Sequence, residues 1–404
     1  MQLARAALPL RHGKEQTTMA DPMWLCPDQV FDGQTLRPGL AVEVTQGVVT
    51  TLAPSATLPP TARRLAITGV LTPGFVDLQV NGGGDVLLNN DPSLAAMQTI
   101  AAAHRRFGTV ALLPTLITDA PEKLDRAADA AIAAKGLPGL IGLHIEGPHI
   151  SVPRRGTHAA AFIRPLDQRT ITVVRRLRDH GVAVMLTLAP EAVQPGQIAM
   201  LAEMGAVISI GHSDTSAEAV AAALAEGARC FTHLFNAMSP MLNRAPGVTG
   251  AAINSTAYAG FICDGHHVAD AMLVLAIRAR PLPDRMFLVS DAMSTVGGSD
   301  HFTLYGQKLR LVGGRLVNAE GSLAGAHITM AESLSRLIRV IGIKPETALR
   351  MAVTVPAGLM GLPSLGQLIG RRAEDLLVLD DGWMPRGTIA DLMAEPRQVT
   401  AHSG

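Results

Sequence analysis

The strongest constraint on the fold of this chain is a regular alternation of short apolar runs with Ala- and Leu-rich stretches of helical period. Eight apolar runs predict β-strands at 74–80, 109–115, 140–146, 182–188, 206–212, 229–234, 258–263 and 286–291. Amphipathic stretches predict helices at 92–107, 121–135, 167–180, 195–204, 215–226 and 268–279, and two more near 328–341 and 345–355. Strands joined by helical crossovers form parallel sheets, and eight such units close into a barrel. The sequence therefore predicts an α/β protein built on a TIM-like (β/α)8 barrel.

The segments outside this alternation predict a second, smaller domain. The chain has 404 residues, whereas a plain barrel needs about 250. Residues 21–70 contain short strand-like runs separated by turn residues, and 366–404 have the same character. We expect these two segments to pair into a small β-sandwich domain, interrupted by a barrel domain at 71–365. Residues 1–20 are predicted to be a disordered extension.

Composition excludes several classes of partner. Lys plus Arg and Asp plus Glu both number 34, so the formal net charge is zero and no basic surplus indicates nucleic acid or an anionic membrane. No apolar run approaches the roughly 18 residues of a membrane-spanning helix. The three cysteines, Cys26, Cys230 and Cys263, form no CxxC pair and no disulfide framework. A cytoplasmic protein is therefore expected.

Single polar residues close four of the apolar runs. Glu146 ends IGLHIE, His212 ends AVISIGH, His233 ends ARCFTH, and Asp291 ends RMFLVSD. The carboxyl ends of barrel strands form the face on which this fold builds its active sites. One carboxylate and two imidazoles suit a borderline divalent ion and leave a position for water. Glu146, His212 and His233 are therefore predicted to bind one divalent metal, Zn²⁺ first and Fe²⁺, Co²⁺ or Mn²⁺ as alternatives.

Asp291 is predicted to be the catalytic acid and base. Hydrolysis assisted by a metal needs a group that takes a proton from water and returns it to the leaving amine, and a carboxylate near the metal does both. Such a carboxylate must start ionised. Activity is therefore expected to fall at low pH.

Longer motifs around these residues resemble a known family. They are PGFVDLQVNGGG at 73–84, HIEGPHISVPRRGTH at 144–158, GHSDTS at 211–216, THLFNAMSPMLNRAPG at 232–247, ICDGHHV at 262–268, VSDAM at 289–293 and GSLAGAHITM at 321–330. In this order, and over almost the whole chain, they are similar to the N-acetylglucosamine-6-phosphate deacetylases of the amidohydrolase superfamily. The resemblance implies hydrolysis of the acetamide of N-acetyl-D-glucosamine 6-phosphate to glucosamine 6-phosphate and acetate.

The resemblance also implies roles for individual residues. It gives Glu146, His212 and His233 as metal ligands, Asp291 as catalytic base and acid, and His158 as the group that polarises the acetyl carbonyl. It implies contacts with the sugar phosphate by Thr157, Asn236, Ala237, Arg244 and His267, and a sugar-pocket loop at Leu323, Ala324, Gly325 and Ala326. In similar enzymes the Arg and the His of this type reach the site of the neighbouring subunit, so the resemblance implies a homodimer in which Arg244 and His267 reach the neighbouring site.

One position departs from the pattern of much of the superfamily. Where an HxH pair binds a second metal, this chain has Gln79, Val80 and Asn81. Neutral amides are poor ligands beside imidazole, so a single-metal site is expected. Gln79 and Asn81 are instead predicted to hydrogen-bond the water or the substrate.

Two other functions stay open from the sequence. The chain could be an amidohydrolase acting on another amide or on a cyclic imide, for which Arg244 would have no phosphate to bind. It could also be a non-catalytic sugar-phosphate binding barrel, although such a protein would not need all four of the strand-end residues.

Overall fold

A central parallel barrel forms the main body of the computed structural model, which describes residues 22–317 and 323–394. The predicted extension at 1–20 and the end of the predicted second domain at 395–404 lie outside the described residues. In chain order the eight barrel strands are Phe75–Val80, Thr109–Ile117, Gly142–Glu146, Ala183–Leu188, Val207–Ile210, Cys230–Phe231, Tyr258–Phe261 and Met286–Leu288. Each pairs in parallel with the next along the chain, from the first to the eighth. The predicted fold class is confirmed.

Helices cover the outside of the barrel, and most of them lie close to predicted positions. Their bounds are Leu94–Arg105, Pro121–Ala133, Gln168–Asp179, Gln197–Glu203, Ala217–Ala225, Gly247–Asn254, Asp270–Ala279, Met330–Arg339, Pro345–Leu349 and Val355–Leu359. A π-helical turn, Arg350–Thr354, joins the last two. Ser93, Asp167 and Ser216 cap three N-termini by accepting a backbone N–H, as the sequence signals favour. Within the part of the chain that the structure describes, no helix has the length and apolarity to cross a membrane.

Two differences from the sequence prediction bear on the site. Helix Gly247–Asn254 was not predicted, because its Gly- and Ala-rich sequence carries little amphipathic period. The fifth, sixth and eighth barrel strands also end earlier than predicted. His212, His233 and Asp291 therefore lie in the turns that follow these strands.

The strands from the two ends of the chain form one separate sheet. Its seven strands are Met23–Phe31, Leu36–Pro38, Leu40–Thr45, Val48–Pro54, Arg64–Pro73, Leu376–Leu379 and Pro385–Thr388. Leu376–Leu379 pairs antiparallel with Arg64–Pro73, which leads directly into the first barrel strand. Leu25, Leu71 and Val378 belong to the apolar core of this sheet. The sequence predicted a sandwich there, and the strands are hydrogen-bonded as a single seven-stranded sheet; the predicted domain boundaries stay a proposal.

A small antiparallel sheet follows the eighth barrel strand, in the glycine-rich stretch where no strands were predicted. Its strands are His301–Leu304, Gln307–Val312 and Arg315–Val317. Phe302, Leu309 and Leu316 form an apolar cluster with Ile117 and Met293. We call residues 301–317 the flap sheet, and this cluster packs it onto the barrel.

The first and eighth barrel strands close the barrel without a continuous ladder. Asp291 donates its backbone N–H to the Gln79 carbonyl at 3.0 Å, and Asn81 donates to the Ala292 carbonyl at 2.9 Å. Deeper in the seam the carboxylate of Asp77 accepts the backbone N–H groups of Gln79, at 3.2 Å, and Ser290, at 3.2 and 3.3 Å. Asp77 is fully buried, so its side chain replaces a missing backbone acceptor between the two strands.

The buried carboxyl of Asp77 predicts a pH-dependent stability. Burial raises the pKa of Asp77 to about 7, whereas an unfolded Asp titrates near 3.9. Between these two pH values the folded protein keeps the Asp77 proton, whereas the unfolded chain has released it. The free energy of unfolding therefore falls as the pH rises from about 4 to about 7. We expect Asp77→Asn, which keeps an acceptor oxygen, to reduce the fall in melting temperature between pH 5 and pH 8 by a few degrees.

Thermal unfolding of the metal-free protein at both pH values measures this effect. Asp381→Asn, at an exposed position, is the matched control and should leave the pH dependence unchanged. An Asp77→Asn profile parallel to that of the unsubstituted protein would show that Asp77 is not the group responsible.

Candidate metal centre and active site

Three predicted metal ligands meet at the carboxyl-terminal face of the barrel. Oε1 of Glu146 lies 3.2 Å from Nε2 of His212 and 3.0 Å from Nε2 of His233. The two imidazole nitrogens are 3.1 Å apart, and all three side chains are buried. Among the described residues they form a group of ligand atoms within 4.8 Å of one another. Residues at the carboxyl ends of the third, fifth and sixth barrel strands thus offer donors to a single point.

The backbone takes a left-handed conformation at the residues that lead into the cavity. The φ angles are 48° at His212, 31° at His233 and 50° at Asp291. Non-glycine residues rarely adopt positive φ, and such residues cluster at functional sites where the surrounding structure enforces them. Each turn ends the extended strand and redirects the side chain across the barrel mouth.

The hydrogen bonding of His212 fits a bound cation. Its Nδ1 lies 2.8 Å from the backbone carbonyl of Arg154, and a carbonyl only accepts, so Nδ1 carries the proton. With Nδ1 protonated, Nε2 is the nitrogen whose lone pair can bind a cation beside the Glu146 carboxylate. A lone pair and a carboxylate oxygen at this distance repel unless a cation lies between them. The set of one carboxylate and two imidazoles matches the donors that a catalytic zinc uses.

Asp291 lies beside this group and is held by two amide side chains. Its Oδ1 accepts from Nδ2 of Asn81 at 2.7 Å and from Nε2 of Gln79 at 3.1 Å. Gln79 Nε2 also donates to Oε1 of Glu146 at 3.1 Å. Burial, reinforced by the charge of Glu146, raises the pKa of Asp291 to about 6. A carboxyl with this pKa suits proton exchange near neutral pH.

His158 faces the same cavity as a neutral imidazole. Its ring centroid is 4.3 Å from that of His212. Burial, with a contribution from the nearby His212, holds its pKa well below the usual range. Nδ1 lies 2.8 Å from the hydroxyl of Thr118, which leaves Nε2 to face a ligand. A neutral imidazole with a proton on Nε2 can donate to a carbonyl oxygen.

A chain of buried polar groups lies beneath the three ligands. His144 contacts the hydroxyls of Thr115 at 3.1 Å and Thr187 at 2.8 Å, and Thr187 is 2.7 Å from the hydroxyl of Thr232. Burial lowers the pKa of His144 to about 4, so this layer stays neutral. These hydrogen bonds run through the barrel interior and connect the second, third and fourth strands with the end of the sixth.

The cavity above the ligands contains most of the predicted site residues. It has a volume of about 190 Å³ and is lined by Asn81, Ile117, Glu146, Gly156, Thr157, His158, His212, His233, Asn236, Ala237, His267, Asp291, Met293, Leu323 and Gly325. His267 is oriented by Asp264, whose Oδ2 lies 2.6 Å from its Nδ1. Despite burial, the hydrogen bond and charge of His267 lower the pKa of Asp264 to about 2. One open space thus brings together the ligand group, Asp291 and His158.

Comparison with known proteins agrees with this geometry. Residues 70–400 match the amidohydrolase family. The chain belongs to this family. It is 39% identical over 360 residues to an N-acetylgalactosamine-6-phosphate deacetylase of Shewanella sp. (strain ANA-3), covering 87% of this chain and 91% of that relative. The family is metal-dependent, in accord with the ligand group.

Solved structures of related deacetylases share the whole fold. The crystal structure of N-acetylglucosamine-6-phosphate deacetylase from Pasteurella multocida has a TM-score of 0.84 and 30% identity, covering 91% of this chain and 98% of that one. A mutant of the Mycobacterium smegmatis deacetylase, in complex with N-acetyl-D-glucosamine-6-phosphate, has a TM-score of 0.81 and 31% identity over 91% of this chain and 97% of that one.

Four of the predicted substrate-binding residues do not line the cavity. Arg244 is exposed, in a loop that runs from 241 to 246. Gln79 is buried behind the lining and bonds Glu146 and Asp291. Ala324 and Ala326 are buried, and the backbone N–H of Ala326 donates to the Asp291 carbonyl at 3.0 Å. Gln79 and Ala326 therefore hold Asp291 in place.

The sequence analysis missed two residues that hold other site residues in place. Asp77 and Thr118 are buried beside predicted site residues but were not singled out. Asp77 stands two residues before Gln79 within PGFVDLQVN, which offered a weak signal. Nothing in the sequence around Thr118 distinguishes it, because its contact with His158 is 40 residues away along the chain.

The ligand group predicts a stoichiometric metal site. We expect about one divalent ion per chain after dialysis, and its loss in Glu146→Gln, His212→Asn or His233→Asn, because a site with three protein ligands loses much of its affinity with any one of them. Elemental analysis of the purified proteins measures this. His301→Asn, on an exposed face of the flap sheet, is the control and should retain the ion. Full metal content in all three ligand variants would contradict the assignment.

Proposed function

We propose that this protein hydrolyses the acetamide of N-acetyl-D-glucosamine 6-phosphate to glucosamine 6-phosphate and acetate, using one divalent metal ion. The observation that carries the proposal is the convergence of Glu146, His212 and His233 with Asp291 in one cavity. Zn²⁺ is the first choice of ion, with Fe²⁺, Co²⁺ and Mn²⁺ as alternatives. The deacetylases to which the chain is similar support the reaction class.

Each side chain of the site has a separate role in the hydrolysis. Glu146, His212 and His233 would hold the divalent ion, which would supply Lewis acidity for the water and the acetyl carbonyl. Asp291 accepts a proton from the attacking water while the new C–O bond forms. The Nε2–H of His158 donates to the carbonyl oxygen as its negative charge grows. Protonated Asp291 then donates to the nitrogen as the C–N bond breaks, which releases the amine and acetate.

The amides of Gln79 and Asn81 support a single ion rather than two. Both turn N–H donors towards Asp291, and Gln79 also donates to Glu146. A carboxylate partner requires the NH₂ group of each amide to face it. A second cation at this position would therefore meet N–H groups instead of lone pairs.

The substrate phosphate needs a cation, and the described residues that line this cavity include no Lys or Arg. We propose that Arg244 provides it by reaching the site of a second copy in a homodimer, where its planar fork suits a phosphate. His267 lines the cavity of its own chain and is proposed to contact the sugar phosphate beside Thr157, Asn236 and Ala237. Leu323 and Gly325 are proposed to contact the sugar ring.

The galactosamine epimer is a second candidate substrate. The Shewanella relative at 39% identity is an N-acetylgalactosamine-6-phosphate deacetylase. Both epimers place the same acetamide and phosphate, so the chemistry described above serves either. The proposed location is the cytoplasm, which suits three free cysteines.

Acetate release is the direct test of the reaction. We expect the metal-loaded protein to release acetate from N-acetyl-D-glucosamine 6-phosphate, and Asp291→Asn to lower kcat by about 10²- to 10⁴-fold because general acid–base catalysis is lost. Chelation should abolish the activity and added metal restore it. Kinetics on both epimers, on plain N-acetylglucosamine and on a cyclic imide would rank the substrates. Binding of the sugar phosphate without acetate release would favour the non-catalytic alternative.

The pH dependence of kcat/KM checks the role of Asp291. Since only the ionised carboxyl accepts a proton, activity should fall as pH drops through the Asp291 pKa, which burial raises to about 6. The charge of the bound ion opposes that rise, so the acid limb is expected between about 4, the ordinary carboxyl value, and about 6. A flat profile through this range would contradict the role.

Arg244→Ala tests the phosphate contact. We expect KM for the phosphorylated sugar to rise about ten- to a hundredfold, the usual worth of a hydrogen-bonded charge contact. KM for plain N-acetylglucosamine should stay unchanged. Arg278→Ala, on a helix outside the cavity, is the matched control. Equal effects on both sugars would show that Arg244 does not bind the phosphate.

A further inference from the structure

The flap sheet places a tyrosine at the tip of a tight hairpin. Tyr305 and Gly306 form the two-residue connection between strands His301–Leu304 and Gln307–Val312. Their φ angles are 50° and 79°, the pairing that a type I′ hairpin turn requires. Glycine or Asn is the usual residue at the first of these positions. A tyrosine there indicates that its side chain is needed at this point in space.

The Tyr305 side chain joins two loops of the site. Its hydroxyl donates to the backbone carbonyl of Thr118, just beyond the second barrel strand. The backbone of Ala159, in the loop after the third strand, also lies near this hydroxyl and interacts with it electrostatically. Burial raises the pKa of Tyr305, so the phenol stays protonated and remains a donor. Tyr305 thus bridges the segments that carry Thr118 and His158.

The Thr118 hydroxyl determines which nitrogen of His158 carries the proton. Thr118 is buried, and its Oγ1 lies 2.8 Å from Nδ1 of His158. Across residues 22–317 and 323–394, Nδ1 of His158 is the one hydrogen-bond acceptor within reach of this hydroxyl. A buried hydroxyl proton without an acceptor costs free energy, so Thr118 donates and Nδ1 accepts. The neutral ring must then carry its proton on Nε2, the nitrogen that faces the cavity.

We propose that Thr118 and Tyr305 are positioning residues that fix the His158 imidazole as an Nε2–H donor aimed into the cavity. Thr118 sets the tautomer, and Tyr305 holds the Thr118 segment and the His158 loop at a constant separation. Neither side chain lines the cavity, so both act through His158. This inference rests on the proposed function, in which His158 donates to the acetyl carbonyl.

Substitutions at Thr118 test the tautomer. Thr118→Val keeps the shape and removes the donor, and we expect kcat to fall about ten- to a hundredfold, less than the 10²- to 10³-fold typical of removing an oxyanion donor outright. KM should change by less than about threefold, because no substrate contact is lost. Thr118→Ser should restore most of the activity.

Thr109→Val is the matched control for this substitution. Thr109 is buried at the start of the barrel strand that leads to Thr118, and its hydroxyl has no hydrogen-bond partner within the described ranges. We expect it to leave kcat unchanged. If Thr118→Val had the same kcat as the unsubstituted enzyme, the proposed role of Thr118 would be wrong.

Tyr305→Phe tests the hairpin contact. It removes the hydroxyl and keeps the ring, so we expect a smaller fall in kcat, about three- to tenfold, with KM little changed. Tyr258→Phe, at the start of the seventh barrel strand, is the control. Unchanged kinetics in Tyr305→Phe would overturn the part of the proposal that concerns the flap sheet.

An NMR measurement separates this inference from the proposed reaction. In the zinc-loaded protein with ¹⁵N-labelled histidine, the His158 signals, assigned with His158→Asn, should show Nε2 protonated and Nδ1 bare. Thr118→Val should lose this preference, and Thr109→Val should keep it. If the unsubstituted protein released no acetate yet showed these tautomers, the positioning would hold and the reaction would fail. The opposite tautomer in the unsubstituted protein would overturn the inference.

Discussion

The structure around the barrel mouth depends on the crowding of one carboxylate and two imidazole nitrogens into a buried space. Glu146, His212 and His233 place their ligand atoms 3.0 to 3.2 Å apart. Such a group of electron-pair donors is unfavourable without a positive charge among them, because burial removes the water that would otherwise solvate the carboxylate. A divalent cation satisfies all three at once. The surrounding residues hold the donors in place rather than neutralising them.

Backbone conformation and hydrogen bonding share that task. Left-handed turns at His212, His233 and Asp291 end the strands and direct the side chains into one cavity. Asp77 closes the seam between the first and eighth strands by accepting the backbone N–H groups of Gln79 and of Ser290, the neighbour of Asp291. Because burial and the nearby charge of Glu146 raise the pKa of Asp291, the site keeps a carboxyl that exchanges protons near neutral pH.

Much of this arrangement could be predicted from the sequence, because its signals lie within short continuous segments. Each ligand follows an apolar run, and the carboxyl ends of parallel strands meet at one face, so Glu146, His212, His233 and Asp291 had to lie near one another once the barrel was inferred. The helices showed their period and their capping residues. The family resemblance added His158, Thr157, Asn236, Ala237 and His267, all of which line the cavity.

The remainder depends on contacts between distant segments. Helix Gly247–Asn254 has little amphipathic period, and the flap sheet lies in a glycine-rich stretch that resembles a loop. Thr118 and Tyr305 acquire their significance from a fold that brings residues 118, 158 and 305 together. Arg244 lies in an exposed loop, so its proposed contact needs a second copy of the chain, about which one sequence carries no direct signal.

The most direct test is anomalous diffraction from crystals grown with zinc, recorded on both sides of the zinc absorption edge. The account predicts one anomalous peak per chain about 2.0 to 2.2 Å from a carboxylate oxygen of Glu146 and from Nε2 of both His212 and His233. A peak held by other residues, or fully occupied crystals in which these three side chains bind no ion, would contradict it.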